Sequence, residues 1–315
     1  MESVIFDTAL HQSLIYVFAV FGIVISFRMM NFPDLTVDGS FALGGAVLAV
    51  LLTNGYSVSI SVSLAIVAGF AAGVATALLN RKLGISKILS GILIMLILYS
   101  INLRIMGKAN ISLLRTNTIF TPFENISSLS LLTFQVGFVL IVLVCLLYFT
   151  ITKLGLFIRA TGDNESMVRS QGVNTDWTFI LGIGFSNSLV ALSGAMVAQS
   201  QGFADVSMGI GIIISVLAAL IIGESFIALI RTLFNKVFRK RENNKYTNRQ
   251  LPWGTFNEFF SALLGAFLYY LIIAVCLQLG LAPTDLKLAT GILVIIGIAL
   301  RFQKTTSETY QKTKL

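Results

Sequence analysis

Charge is scarce in this chain. Only 11% of its 315 residues are Asp, Glu, Lys or Arg, 56% are hydrophobic and the mean hydropathy is +0.88, which excludes a soluble domain of this length. Histidine occurs once, as His11, and cysteine twice, as Cys145 and Cys276 inside apolar runs. A single imidazole excludes H-E-x-x-H metal sites and leaves no well-placed base for a Ser-His-Asp triad. Two thiols in apolar surroundings behave as small hydrophobes, so neither a disulfide framework nor a metal site is implied. The pattern G-x-x-x-x-G-K-[ST] is absent, so the chain has no P-loop with which to hydrolyse a nucleotide itself. A membrane enzyme is therefore a poor fit.

What the chain has in abundance is apolar length. Crossing a bilayer core of about 30 Å takes about 20 apolar residues. Runs of this kind recur at 11–27, 39–52, 58–79, 86–103, 133–151, 179–199, 209–225, 258–279 and 287–302. The fold class expected is all-α, a polytopic transmembrane helical bundle of eight to ten spans, since the runs at 39–52 and 209–225 are short. All of 1–315 reads as a single transmembrane domain. With alternating spans, 18 of the 22 Lys and Arg fall on one side; only Arg104, Lys108, Arg115 and Lys287 fall on the other. The positive-inside rule then places the N-terminus outside and the C-terminus in the cytoplasm. The net charge of +8 reports orientation and anionic headgroups, with no call on nucleic acid. "MESVIFDTALHQ" carries Glu2 and Asp7 but no Lys or Arg, so it lacks the basic region of a cleaved signal and the first span is expected to be retained.

Three connections are long. The one at 104–128 mixes apolar and polar residues and suits a short interfacial helix. The stretch 152–178 is polar and punctuated by Gly155, Gly162 and Gly172; two short helices fit between these glycines, with Asn164 as N-cap of the second. From spacing alone, a solvated connector is the favoured reading. The third, a basic insert at 226–257, sets Leu233, Phe234, Val237 and Phe238 against Arg231, Lys236, Arg239 and Lys240, the pattern of an amphipathic helix on a lipid surface. A short internal echo joins "FPDLTV" (32–37) to "FADVSM" (203–208). By the alternation above, the two stand at opposite ends of their spans, as an inverted-topology repeat requires, although six residues also match by chance.

Two acids stand at the mouth of an apolar run in "NFPDLTVDGSFALGGAVLAVLL" (31–52). Pro33 suits the first position of a helix, and a helix from Pro33 to Leu52 would place Asp34 and Asp38 on one face at its positive end. A charge near mid-bilayer costs about 2.5–3.5 kcal/mol on insertion scales, so such a face is expected to meet water or a partner. The acids either end the helix at the interface or line a path through the membrane.

"LGLFIRATGDN" with "VRSQGVN" resembles the cytoplasmic coupling segment of permease subunits in ABC importers of the branched-chain amino acid and ribose type. "NFPDLTVDGSFALGGA", "SNSLVALSGAMVAQSQGFADVSMGIG" and "LAPTDLKLATGILVII" resemble the branch of aromatic amino acid or uncharacterised solute permeases. The resemblance implies a permease domain over 1–315 in a bacterial cytoplasmic membrane, with 152–178 as its coupling loop. It implies three protein partners: a second copy of the permease, a cytoplasmic ATP-binding cassette subunit and an external solute-binding protein. No cofactor would be bound by this chain, ATP and Mg being used by the partner. Arg159, Ala160, Gly162, Asp163, Asn164 and Gly172 would form the knob seated in the ATPase. Asp34, Asp38 and Gly39 would line the inner path or gate, with Gln199 and Asp205 at the opposite entry face. The basic insert departs from the family pattern. The rival expectation is a self-sufficient ion-coupled transporter or channel using Asp34, Asp38 and Asp205.

Overall fold

In a computed structural model the described residues are 2–124, 128–237, 253–281, 285, 288 and 290–292. Helix α1 (Glu2–Ile23) continues as a six-residue π-helix, Val24–Met29. There follow α2 (Thr36–Thr53), α3 (Val58–Leu83), α4 (Lys87–Met106), β1 (Asn110–Ser112), α5 (Thr121–Glu124) and α6 (Ser128–Ile151). Two short helices, α7 (Lys153–Asp163) and α8 (Glu165–Ser170), precede α9 (Thr175–Gln201), β2 (Phe203–Asp205), α10 (Ile212–Val237) and α11 (Trp253–Gln278). Among the described residues eight helices are long and apolar enough to cross a membrane. They coincide with the first eight runs expected; the ninth, 287–302, lies largely outside the described residues. The basic insert is helical up to Val237 as a continuation of α10, and 238–252 also lie outside them.

The contacts divide the chain into two compact units, 1–13 with 214–315, and 14–213. In the first, Gly223 faces the carbonyl of Ser261 and Gly265 that of Ala219, so α10 and α11 meet backbone to backbone, while Phe6 sits edge-on to Phe267 at 5.7 Å. Small residues allow this approach where lipid supplies no hydrophobic drive.

The second unit is centred on α9. Ile15 and Gly22 of α1 lie beside Ser193 and Ser186, whose hydroxyls donate to their carbonyls at 3.0 and 2.7 Å, so α1 and α9 are antiparallel. Ser40 and Gly44 of α2 meet Asn187 and Ala191, so α2 and α9 run parallel. At that crossing a Cβ on Gly44 would strike the carbonyl of Ala191, and one on Gly194 the carbonyl of Phe41. At the end opposite α7 and α8, β1 pairs antiparallel with β2, with Asn110 opposite Asp205.

The echo of the two hexapeptides has a structural counterpart. Asn31 (φ 50°) and Gly202 (φ 75°) both turn through the left-handed region immediately before a Phe. Asp34 and Asp205 each accept the amide of the residue two positions on, Thr36 at 2.9 Å and Ser207 at 2.7 Å. One segment leaves α1 and the other leaves α9 at the opposite end of the unit.

Candidate functional site

Helix α2 begins at Thr36, three residues later than the sequence suggested, because Asp34 takes the Thr36 amide in a side-chain turn. Asp34 therefore stands in a non-helical segment, 30–35, and shares no helical face with Asp38, which corrects the expectation of two acids on one stripe. It is 2% exposed. Its second oxygen accepts from Asn187 Nδ2 at 2.6 Å, and Asn187 Oδ1 accepts from Ser40 Oγ at 2.7 Å. Beside them Thr36 and Thr76 share a 2.7 Å hydroxyl contact. The segment is thus tied to α2, α3 and α9 by polar groups inside the bundle, where an unpaired one is costly.

Asp38 has a different task. Its Oδ2 accepts from the Gly211 amide at 2.8 Å and its Oδ1 from the Ile213 amide at 2.9 Å. A carboxylate supplied by α2 thus caps the start of α10, where unpaired amides and the helix dipole favour negative charge. Gly39 packs against Leu98 and Met95 of α4. Gln199 is buried and accepts the Ile119 amide at 2.9 Å, holding the 113–121 loop, while Gln201 borders an open cavity of about 440 Å³ on that face. Asp205 faces Asn110 Nδ2 at 3.3 Å, and the Ser207 hydroxyl beside it holds its carboxyl below the usual range. The structure brings Asp38 to the loop that follows Asp205 but keeps Asp34, Asp38 and Asp205 in three separate settings.

The α7–α8 knob is built by local rules. Thr152 caps α7 through the Gly155 amide at 3.3 Å, and Asn164 caps α8 through the Met167 amide at 3.1 Å. Gly172, exposed and at φ 80°, makes the turn after α8. Asp163 and Asn164 are exposed at the junction, whereas Arg159 and Ala160 are half-buried. Gly162 points inward, and a Cβ there would strike the Met29 carbonyl. Thr161 and Thr178 share a 2.8 Å contact.

The knob's ionic anchor was not legible in the sequence. Glu165 Oε1 accepts from Arg81 Nη1 at 2.6 Å, Arg169 Nη2 at 3.0 Å and the Thr175 hydroxyl at 3.1 Å. Arg81 also lies 4.0 Å over the Phe179 ring and 3.9 Å from Asp176. Read as a chain, Arg81 was one more inside-facing cation; an acid opening a short helix three residues after a glycine was the available signal. Hydrogen bonding from Arg81 holds the Glu165 carboxyl below its ordinary value of about 4.5. A depressed folded value contributes stability that is complete above that pH and lost as pH falls through the folded value. The melting advantage of the wild type over Glu165→Gln in detergent is therefore expected to be flat from pH 7 to about 5 and to shrink below about 4.5. A gap that widens on acidification would refute the pairing.

Two short helices, α7 and α8, thus join two of the eight long apolar helices, α6 and α9. The family model of the branched-chain amino acid transport system permease component matches residues 5–299, and the chain belongs to that family. It is 39% identical over 289 residues to a tyrosine transport system permease protein of Clostridioides difficile (strain R20291), covering 91% of this chain and 88% of that one. An uncharacterised protein of Rickettsia prowazekii (strain Madrid E) is 33% identical over 292 residues, 93% and 96% of the two chains. A probable branched-chain amino acid transport permease of Methanocaldococcus jannaschii is 27% identical over 238 residues, 70% and 74% of the two chains. No solved structure matches significantly.

Proposed function

We propose that this chain is the membrane subunit of an ATP-binding-cassette importer for a small polar solute, an amino acid before a sugar. A second copy of the chain completes the pathway, an external binding protein delivers the solute, and a cytoplasmic subunit hydrolyses ATP with Mg. The observation that carries the reading is the α7–α8 knob in a member of this family. It exposes Asp163, Asn164 and Met167, is fastened to the bundle by Gly162, Thr161 and Glu165, and belongs to a chain without a P-loop. A rigid projection of this kind suits work received mechanically from a partner. The distribution of Lys and Arg supports a bacterial cytoplasmic membrane with the C-terminus and knob inside. The similarity to a permease named for tyrosine over nine-tenths of the chain makes aromatic amino acids the first solutes to test.

The ion-coupled alternative is less well supported. Amide N–H groups from Thr36 and Asn187 point at Asp34, and those of Gly211 and Ile213 point at Asp38. Such donors satisfy a carboxylate but repel a bound cation. Purification of the tagged chain from its native membranes in mild detergent, with partners identified by mass spectrometry, tests the proposal. A stoichiometric ATP-binding cassette subunit is expected. Recovery of the chain alone, under conditions that keep another such complex intact, would sink it.

A further inference from the structure

We propose that the knob is the handle of the non-helical segment 30–35, and that Glu165, through Arg81, is a positioning residue for Asp34. The inference rests on the importer reading, in which a partner ATPase presses on the knob. Segment 30–35 is held at three points, and each leads back to α7–α8. At its start, Gly162 is seated against the Met29 carbonyl, and a Cβ on it would stand 2.7 Å from Met30 Cα. At its end, Thr36 meets Thr76 of α3, five residues before Arg81 and so about 7.5 Å away along the helix. In its middle, Asp34 is held by Asn187 of α9, whose first turns carry Thr175, Asp176 and Phe179 around the same Glu165–Arg81 pair.

The two attachments differ in what they transmit. A steric seat such as Gly162 on Met29 can push but not pull. The Glu165–Arg81 pair can pull, because its side chains are partly withdrawn from solvent, 36% and 16% exposed, and separation would leave charges poorly solvated. Helices α3 and α9 carry a displacement along their axes through internal hydrogen bonds, whereas the backbone of 30–35 has no continuous ladder and turns at Asn31 through φ 50°. Movement of the knob is therefore delivered to the non-helical residues around Asp34, to which all three attachments lead.

The test uses the full chain in inside-out vesicles of native membranes, with a single cysteine at Leu35 in a C145A/C276A background. Its labelling rate by a small methanethiosulfonate is measured with and without ATP and vanadate. The parent is expected to change rate by about fivefold or more, the lower end of ordinary coupling. Glu165→Gln should keep the nucleotide-free rate and lose the response, and Glu165→Asp, which retains the charge, should keep the response. A Glu165→Gln protein that responds as the parent does overturns the inference. Should Glu165→Gln fail to accumulate, Glu165→Asp and Arg81→Gln decide: the first must respond and the second must not. A parent that does not respond to nucleotide also overturns the inference; the importer reading is decided separately, by whether an ATP-binding cassette subunit co-purifies with the chain.

Discussion

Replacing Asp34 with Ala is expected to lower the melting temperature of the detergent-solubilised protein by about 5 °C or more, at about 2–4 °C per kcal/mol for a chain of this size class. The substitution strips the Thr36 amide of its buried acceptor and Asn187 Nδ2 of one of its two, and each donor hydrogen left unpaired costs about 1–3 kcal/mol. Asp34→Asn should fall between, because one carboxamide atom still accepts while the other turns a donor toward a donor. Ser40→Ala should be milder, since Asn187 loses one partner and keeps the rest. Fluorescence-detected size-exclusion melting of the four proteins gives the order. An Asp34→Ala protein that melts with the wild type but transports nothing would instead return Asp34 to the solute path.

Gly162→Val is expected to reduce solute uptake to background while the protein still reaches the membrane. The added Cβ meets a backbone carbonyl, that of Met29, which cannot rotate aside as a side chain can. Overpacking of this sort costs about 1–3 kcal/mol, too little to unfold the bundle but enough to displace α7 from the end of the π-helix. Gly84→Asn, after α3 and outside the knob, makes the control. That position is exposed and has nothing within 4 Å, and Asn tolerates its left-handed φ of 67° better than other side chains do. Uptake of the radiolabelled solute that the wild type carries, together with surface labelling to count protein, separates the two. Equal uptake by Gly162→Val and wild type would show that the knob does not need its seat.

The spans were legible in the sequence because a membrane-crossing helix is specified by its own length and apolarity, as at Leu129–Ile151 or Phe256–Gln278. Asn164 could be placed as a cap for a similar reason, its target amide being only three residues away. The start of α2 was not legible. Pro33 favours a helix start there, but Asp34 withholds the Thr36 amide and is itself stabilised by Asn187, 153 residues distant in the chain. Asp38 misled in the same way, since the amides it caps belong to Gly211 and Ile213.

The sequence by itself determined that this is a membrane-spanning helical protein of the permease type, how most of its spans are bounded and where its knob lies. Those properties depend on hydrocarbon length, on local capping and on motifs read within a few residues. Only the tertiary structure decided that Asp34 is buried and partnered, that Asp38 caps a remote helix, that Gln199 braces a loop and that Glu165 holds Arg81. A carboxylate or amide has the same letter whether it faces water, solute or an amide across the bundle, and which of these it meets depends on contacts between residues far apart in the chain.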